Sequence, residues 1–160
     1  MVIALTAHHV DISHITLGIT DHIRTEDLIK PSSPDCITIA SIMTRDVVSI
    51  DHAKTAHDAA QIMVEKKVGS VIITAYGKPF GIVTERDLAR IMAIIDIPGN
   101  CLILSFLASR PLVCASQACT IQEAASMMAR YNIDHLPILE NNKIVGMVTT
   151  RDLAIYLLYA

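Results

Sequence analysis

The chain has 160 residues, room for one compact domain or two very small ones, and 52% of them are apolar against 18% charged. That balance excludes a disordered or linker protein, and a formal charge of −3 offers no basic excess to a nucleic acid. Aromatic residues contribute 4%, with no Trp, so the core must be aliphatic.

Residues 1–38 form an N-terminal extension with its own character. They hold His8, His9, His14 and His22 and the turn-rich "KPSSPDC". The opening "MVIALTAHHVD" lacks the basic start and clean apolar run of a signal peptide. The histidines match no usual metal-ligand spacing, so no metal site is expected, and the arm is expected to pack on the rim of the domain or on a partner.

From residue 43 onward the chain repeats itself. Shifted by 65 residues, 43–92 aligns with 108–157 without a gap, and about a third of the positions agree, among them Arg45/Arg110, Ala59/Ala124, Met63/Met128 and Gly81/Gly146. A period this long means duplicated supersecondary units. Each repeat opens with a short apolar run, Val47–Ile50 or Leu112–Ala115, that reads as a strand. "TAHDAAQIMVEKK" and "TIQEAASMMARYN" follow. Thr55 with Asp58, and Thr120 with Glu123, have the spacing of a capping box, and Ala56, Ala59, Ala60 and Met63 recur at helical spacing. Two strands come next, "SVIIT" and "FGIVT" around "AYGKP", matched by "LPIL" and "IVGMVT" around "ENNK". A closing helix starts after Thr84 or Thr149 and turns Leu88 or Leu153 inward.

Between the repeats, "IMAIIDIPGNCLILSFLA" (91–108) is apolar, but Asp96 and Pro98-Gly99-Asn100 cut it into pieces too short to cross a bilayer. The four cysteines form no CxxC pair, which fits reduced thiols and a cytoplasmic location. The expected architecture is α+β, with two strand–helix–strand–strand–helix units about a pseudo-twofold axis. The boundaries are 39–95 for the first unit, 96–103 for a linker and 104–160 for the second. One unit alone buries too little surface to be stable, so the two share a core and leave clefts between them.

The most similar stretches are "GIVTERDLA" (81–89) and "GMVTTRDLA" (146–154). Thr84 with Asp87, and Thr149 with Asp152, again have capping-box spacing. Capping does not explain Arg86 and Arg151, because a cation in the first turn opposes the helix dipole. A phosphate at the helix start would explain them, and a carboxylate beside it can accept both hydrogens of a ribose diol. Gly81 and Gly146 allow close backbone approach on the preceding strand. No nucleophile elbow, phosphate-binding Walker loop or ordered Ser/His/Asp set is present, so no catalytic residue is expected.

These two motifs, with "IMTRDVVSI" and "IDHLPIL", resemble the CBS domain, named after cystathionine β-synthase. The resemblance covers about 39–158. It implies a tandem pair that dimerises into a flat four-domain assembly, binds AMP, ADP, ATP or S-adenosylmethionine between the repeats, and signals to an effector protein without catalysis. Carried over by position, the ribose acids are Asp87 and Asp152 and the phosphate-side hydroxyls Thr84 and Thr149. His135 and Ser70 stand at the start of the second strand, where the family faces the phosphates. Thr150 in place of Glu85, and His135 in place of Ser70, favour an anion in the second repeat, so Asp152 is expected to anchor the tighter site unless His135 serves the cleft of Asp87. A ligand-independent interaction module is the alternative reading.

Overall fold

The computed structural model describes residues 23–24 and 37–159; the histidine-rich positions and "KPSSPDC" lie outside them. The strands are β1 (Ile23–Arg24), β2 (Ser49–Asp51), β3 (Ser70–Ala75), β4 (Lys78–Thr84), β5 (Leu112–Val113), β6 (His135–Glu140) and β7 (Lys143–Thr149). The helices are α1 (Ala56–Lys66), α2 (Glu85–Ile94), the single-turn α3 (Leu104–Leu107), α4 (Ile121–Tyr131) and α5 (Thr150–Tyr159). The architecture is mixed α and β with two repeated units, as the repeat predicts.

Both first helices carry the capping boxes their sequences announce. The Thr55 and Thr120 hydroxyls accept from the third helical N–H, and Asp58 and Glu123 accept from the cap N–H. Both helices end on a left-handed residue, Lys67 (φ 56°) and Asn132 (φ 51°), which turns the last carbonyls back onto the chain. The hairpins β3–β4 and β6–β7 close on two residues with positive φ: Tyr76 (51°) and Gly77 (75°), then Asn141 (49°) and Asn142 (60°). Two such residues in succession match the right-handed twist of the flanking strands. Each ladder carries an irregularity at the same place, between Ile73 and Thr74 and between Ile138 and Leu139.

The opening strands differ from the sequence reading. β2 begins at Ser49 and runs parallel to β3, with Ile50 opposite Ile73. In the second repeat the same register survives only as one bridge, Ala115 with Ile138. The cause is Pro137. In the first repeat the Ile72 N–H donates to the Val48 carbonyl at 3.0 Å; the residue 65 further on is Pro137, which has no N–H to give. β5 instead pairs in parallel with β1.

The two units do not share one core: each has its own, and the segment that opens each unit packs into the core of the other. Ile39 and Met43 lie in the core of the second repeat, with Ala124, Met128, Leu136, Ile138, Val148 and Leu153. Leu104 and Ala108, 65 residues later, lie in the core of the first, with Ala59, Met63, Val71, Ile73, Val83 and Leu88. Backbone bonds repeat the exchange: the Thr44 N–H and Met147 carbonyl at 2.9 Å, the Ser109 N–H and Ile82 carbonyl at 2.9 Å. Gly146 and Gly81 sit where these segments cross. A Cβ on Gly146 would stand 2.5 Å from Met43 Sδ, and one on Gly81 would stand 2.9 Å from Ser109 O and from Ala108 Cβ. The glycines therefore admit a neighbouring segment of the chain itself. Burying Ile39 and Leu104 completely stabilises each crossing by about 1.5–3 kcal/mol per side chain.

Among the described residues, no helix is long and apolar enough to cross a membrane.

Candidate functional site

The crossings leave a cleft between the repeats. Its volume is about 580 Å³ and both repeats line it: Gly69, Thr84, Glu85, Arg86, Asp87 and Arg90 from the first, Arg110, Asn132, Asp134 and His135 from the second. β4 runs into α2 at its floor, and the start of α2 is fixed by a capping box. The Thr84 N–H and hydroxyl both donate to Asp87 Oδ2, at 3.0 and 2.7 Å, and the Asp87 N–H donates to Thr84 Oγ1 at 3.2 Å. The Glu85 N–H donates to the Gly69 carbonyl at 3.0 Å. Capping thus occupies one carboxylate oxygen, while Asp87 Oδ1 makes no hydrogen bond among the described residues. That oxygen is the one a sugar hydroxyl can use.

Arg86 does not lie loose at the helix start. Its Nη2 is 2.6 Å from Asp134 Oδ2, an ion pair between the two repeats with both side chains about half exposed. Arg110 lies over the Phe80 ring, 4.7 Å from its centroid. Burial holds the His135 imidazole below its ordinary pKa. Asp134, Glu85 and Asp87 oppose that shift and Arg86 adds to it. Burial thus favours the neutral imidazole, in which one ring nitrogen donates a hydrogen bond and the other accepts one.

The structure brings Thr84, Arg86, Asp87 and His135 together. Thr149, Arg151, Asp152 and Ser70 do not line this cleft. Of the two placements open for His135, the structure has the one beside Asp87, because α2 of the first repeat meets the start of β6 of the second. Ser70 is buried and lies opposite Thr84 in the β3–β4 ladder. The second repeat keeps the same helix start, with Thr149 donating to Asp152 Oδ2 at 2.8 Å from its N–H and 2.7 Å from its hydroxyl. Arg90, Arg110 and Asp134 line the cleft without being among the residues expected there from the sequence. The recurrence of Arg110 as Arg45 was the available signal for that residue and the motif "IDHLPIL" for Asp134; nothing local marks Arg90. Among the described residues no group of His, Cys, Asp or Glu is placed to hold a metal ion.

The CBS domain profile matches this sequence twice, at 39–94 and at 104–159. The chain belongs to the CBS domain family. CBS domain pairs are regulatory and sensing modules. The CBS domain-containing protein YhcV of Bacillus subtilis is 29% identical over 118 residues, 74% of this chain and 84% of that protein. Among solved structures, a hexameric CBS-CP12 protein from bloom-forming cyanobacteria superposes with a TM-score of 0.71 at 25% identity, covering 76% of this chain and 68% of that one. The CBS domain pair of protein MJ0100, in complex with 5′-methylthioadenosine and S-adenosyl-L-methionine, superposes with a TM-score of 0.68 at 22% identity. That match covers 76% of this chain and 96% of the other, and at this identity it speaks for the fold alone.

Proposed function

We propose that this CBS pair is a regulatory sensor that binds an adenosine nucleotide, AMP, ADP or ATP, in the clefts between its repeats and passes the occupancy to a partner protein. The observation that carries the reading is the 580 Å³ cleft built from both repeats, with the Thr84–Asp87 helix start on one wall and His135 on the other. Asp87 Oδ1 grips the ribose. Thr84, His135 and the arginines serve the 5′ side. By the 65-residue offset, Thr149, Arg151, Asp152 and Ser70 serve the companion cleft. A ligand touching both repeats stabilises their mutual arrangement, and that is how binding at the cleft would reach the outside of the molecule. No catalytic role is assigned, since a capped carboxylate and an ion-paired arginine supply neither nucleophile nor base.

S-adenosylmethionine is the second reading, favoured by the adenosine sulfonium bound to the pair of protein MJ0100 and by the equal number of cations and carboxylates lining the cleft. A homodimer in the cytoplasm completes the proposal. Met92 and Ile94 near the end of α2, and Leu157 and Tyr159 at the matching positions of α5, are all exposed. An apolar surface of this kind on so small a chain calls for a partner. Calorimetry with AMP, ADP, ATP and S-adenosylmethionine tests the ligand, and light scattering tests the dimer. No heat from any of the four at millimolar concentration would leave a ligand-independent interaction module as the better description.

A further inference from the structure

We infer that Asp134 sets the phosphate selectivity of the Asp87 cleft by occupying Arg86 in the position a ligand's phosphate would take. The inference rests on the cleft being an adenosine site.

A helix start attracts an anion through its unpaired N–H groups, and at α2 these are nearly used up. The Thr84 N–H is held by Asp87 Oδ2, the Glu85 N–H by the Gly69 carbonyl and the Asp87 N–H by the Thr84 hydroxyl. Of this first turn, only the Arg86 N–H makes no hydrogen bond among the described residues. Arg86, Arg90 and Arg110 all line the cleft, but the guanidinium carried by the helix start itself is Arg86, and its Nη2 is held by Asp134 at 2.6 Å. Glu85 adds a second negative charge in the same cleft. A phosphate reaching Arg86 must either displace the Asp134 carboxylate from Nη2 or share the guanidinium with it, and in both cases that carboxylate stays nearby as a like charge. The ribose and base meet no such competitor. Asp134 thereby reduces what a phosphate adds to affinity and leaves the nucleoside part untouched.

The second repeat shows the contrast. The position 65 residues before Asp134 is Gly69, which has no side chain to neutralise Arg151, and Arg151 makes no ion pair among the described residues. Glu85 is likewise replaced by Thr150. The helix start of the second repeat thus lacks both of the acidic groups that oppose a phosphate at α2.

The test is calorimetric titration of adenosine and AMP into the wild-type chain, Asp134→Asn, Arg86→Gln and the double variant. Asp134→Asn keeps the side-chain volume and the backbone carbonyl that accepts from the Thr150 N–H, and Asp134→Ala checks that the new amide adds no bond of its own. With Arg86 released and one like charge removed, AMP affinity is expected to rise about 5- to 10-fold, while adenosine stays within about twofold. In the Arg86→Gln background most of the gain should vanish, leaving only the part that comes from removing a like charge. An unchanged AMP-to-adenosine ratio, an equal gain for adenosine, or a gain that persists in full without Arg86 overturns the inference while the adenosine site stands. No binding of either compound to any variant overturns the adenosine site itself, and the inference falls with it.

Discussion

Alanine at Gly81 and at Gly146 makes the same chemical change at equivalent positions, yet the structure assigns the two different costs. Neither glycine has a positive φ, so a methyl group is compatible with both backbones and the outcome depends on what it strikes. At Gly146 the new Cβ stands 2.5 Å from Met43 Sδ and 3.0 Å from Met43 Cγ. Met is unbranched with three rotatable bonds and can swing aside. At Gly81 the new Cβ stands 2.9 Å from the Ser109 carbonyl oxygen, which cannot rotate away, and 2.9 Å from Ala108 Cβ. Relief there requires moving the crossing backbone, whose Ser109 N–H bonds to Ile82 at 2.9 Å. Overpacking of this sort costs about 1–3 kcal/mol. Gly81→Ala should therefore lose about 2–3 kcal/mol, roughly 4–12 °C in Tm for a chain of this size. Gly146→Ala should lose less than about 1 kcal/mol, partly offset by the reduced entropy of the unfolded chain. Urea denaturation of both variants measures the difference. Because Ser109 and Arg110 line the cleft, Gly81→Ala should also weaken ligand binding. If Gly146→Ala is equally or more destabilised, the crossing backbone is not the rigid element.

Asp87→Ala and His135→Ala are expected to weaken the same binding event, Asp87→Ala by about 10- to 150-fold, the cost of losing a hydrogen bond to a charged group. Calorimetry in which His135→Ala instead follows Asp152→Ala would return His135 to the companion cleft. Asp152→Ala should also lose about 1 kcal/mol of stability, because its carboxylate caps α5, as read by thermal unfolding without ligand. The His135 pKa is lowered on folding, so the unfolded chain binds the proton more readily. Stability should then fall as the pH drops from the unfolded-state value of about 6.5 towards the lower folded-state value and be level above about 6.5; His135→Gln should flatten that slope in urea titrations at pH 7.5 and 5.5. Burial pushes the Cys114 thiol up to about 12 and, with Glu123 contributing, Cys119 to about 11, while Cys101 is exposed. Peptide mapping after brief alkylation of the native chain should find Cys101 modified and Cys114 and Cys119 protected; modification of Cys114 at the rate of Cys101 would contradict the packing.

What the sequence determined by itself is local and periodic. The 65-residue offset, the capping boxes at Thr55, Thr84, Thr120 and Thr149, the hairpins and the inward faces of the helices all follow from residue type and spacing, because caps, turns and amphipathic faces are set by neighbours within a few positions. Pro137 was equally legible, though its consequence for the opening strand appears only when the ladder partner is known. The tertiary structure decided which repeat each segment serves. An alignment of 43–92 with 108–157 is indifferent to whether Ile39 packs on the first repeat or the second, since both cores are aliphatic and a hydrophobic side chain has no directional preference between them. The crossing of 37–44 and 102–109 resolves that choice, and with it the membership of the cleft. His135 meets Asp87, Arg110 arrives from the far repeat, and Asp134 reaches Arg86 across a separation of 48 residues. Coulomb attraction depends on distance in space, and only the crossing brought those two charges within 2.6 Å.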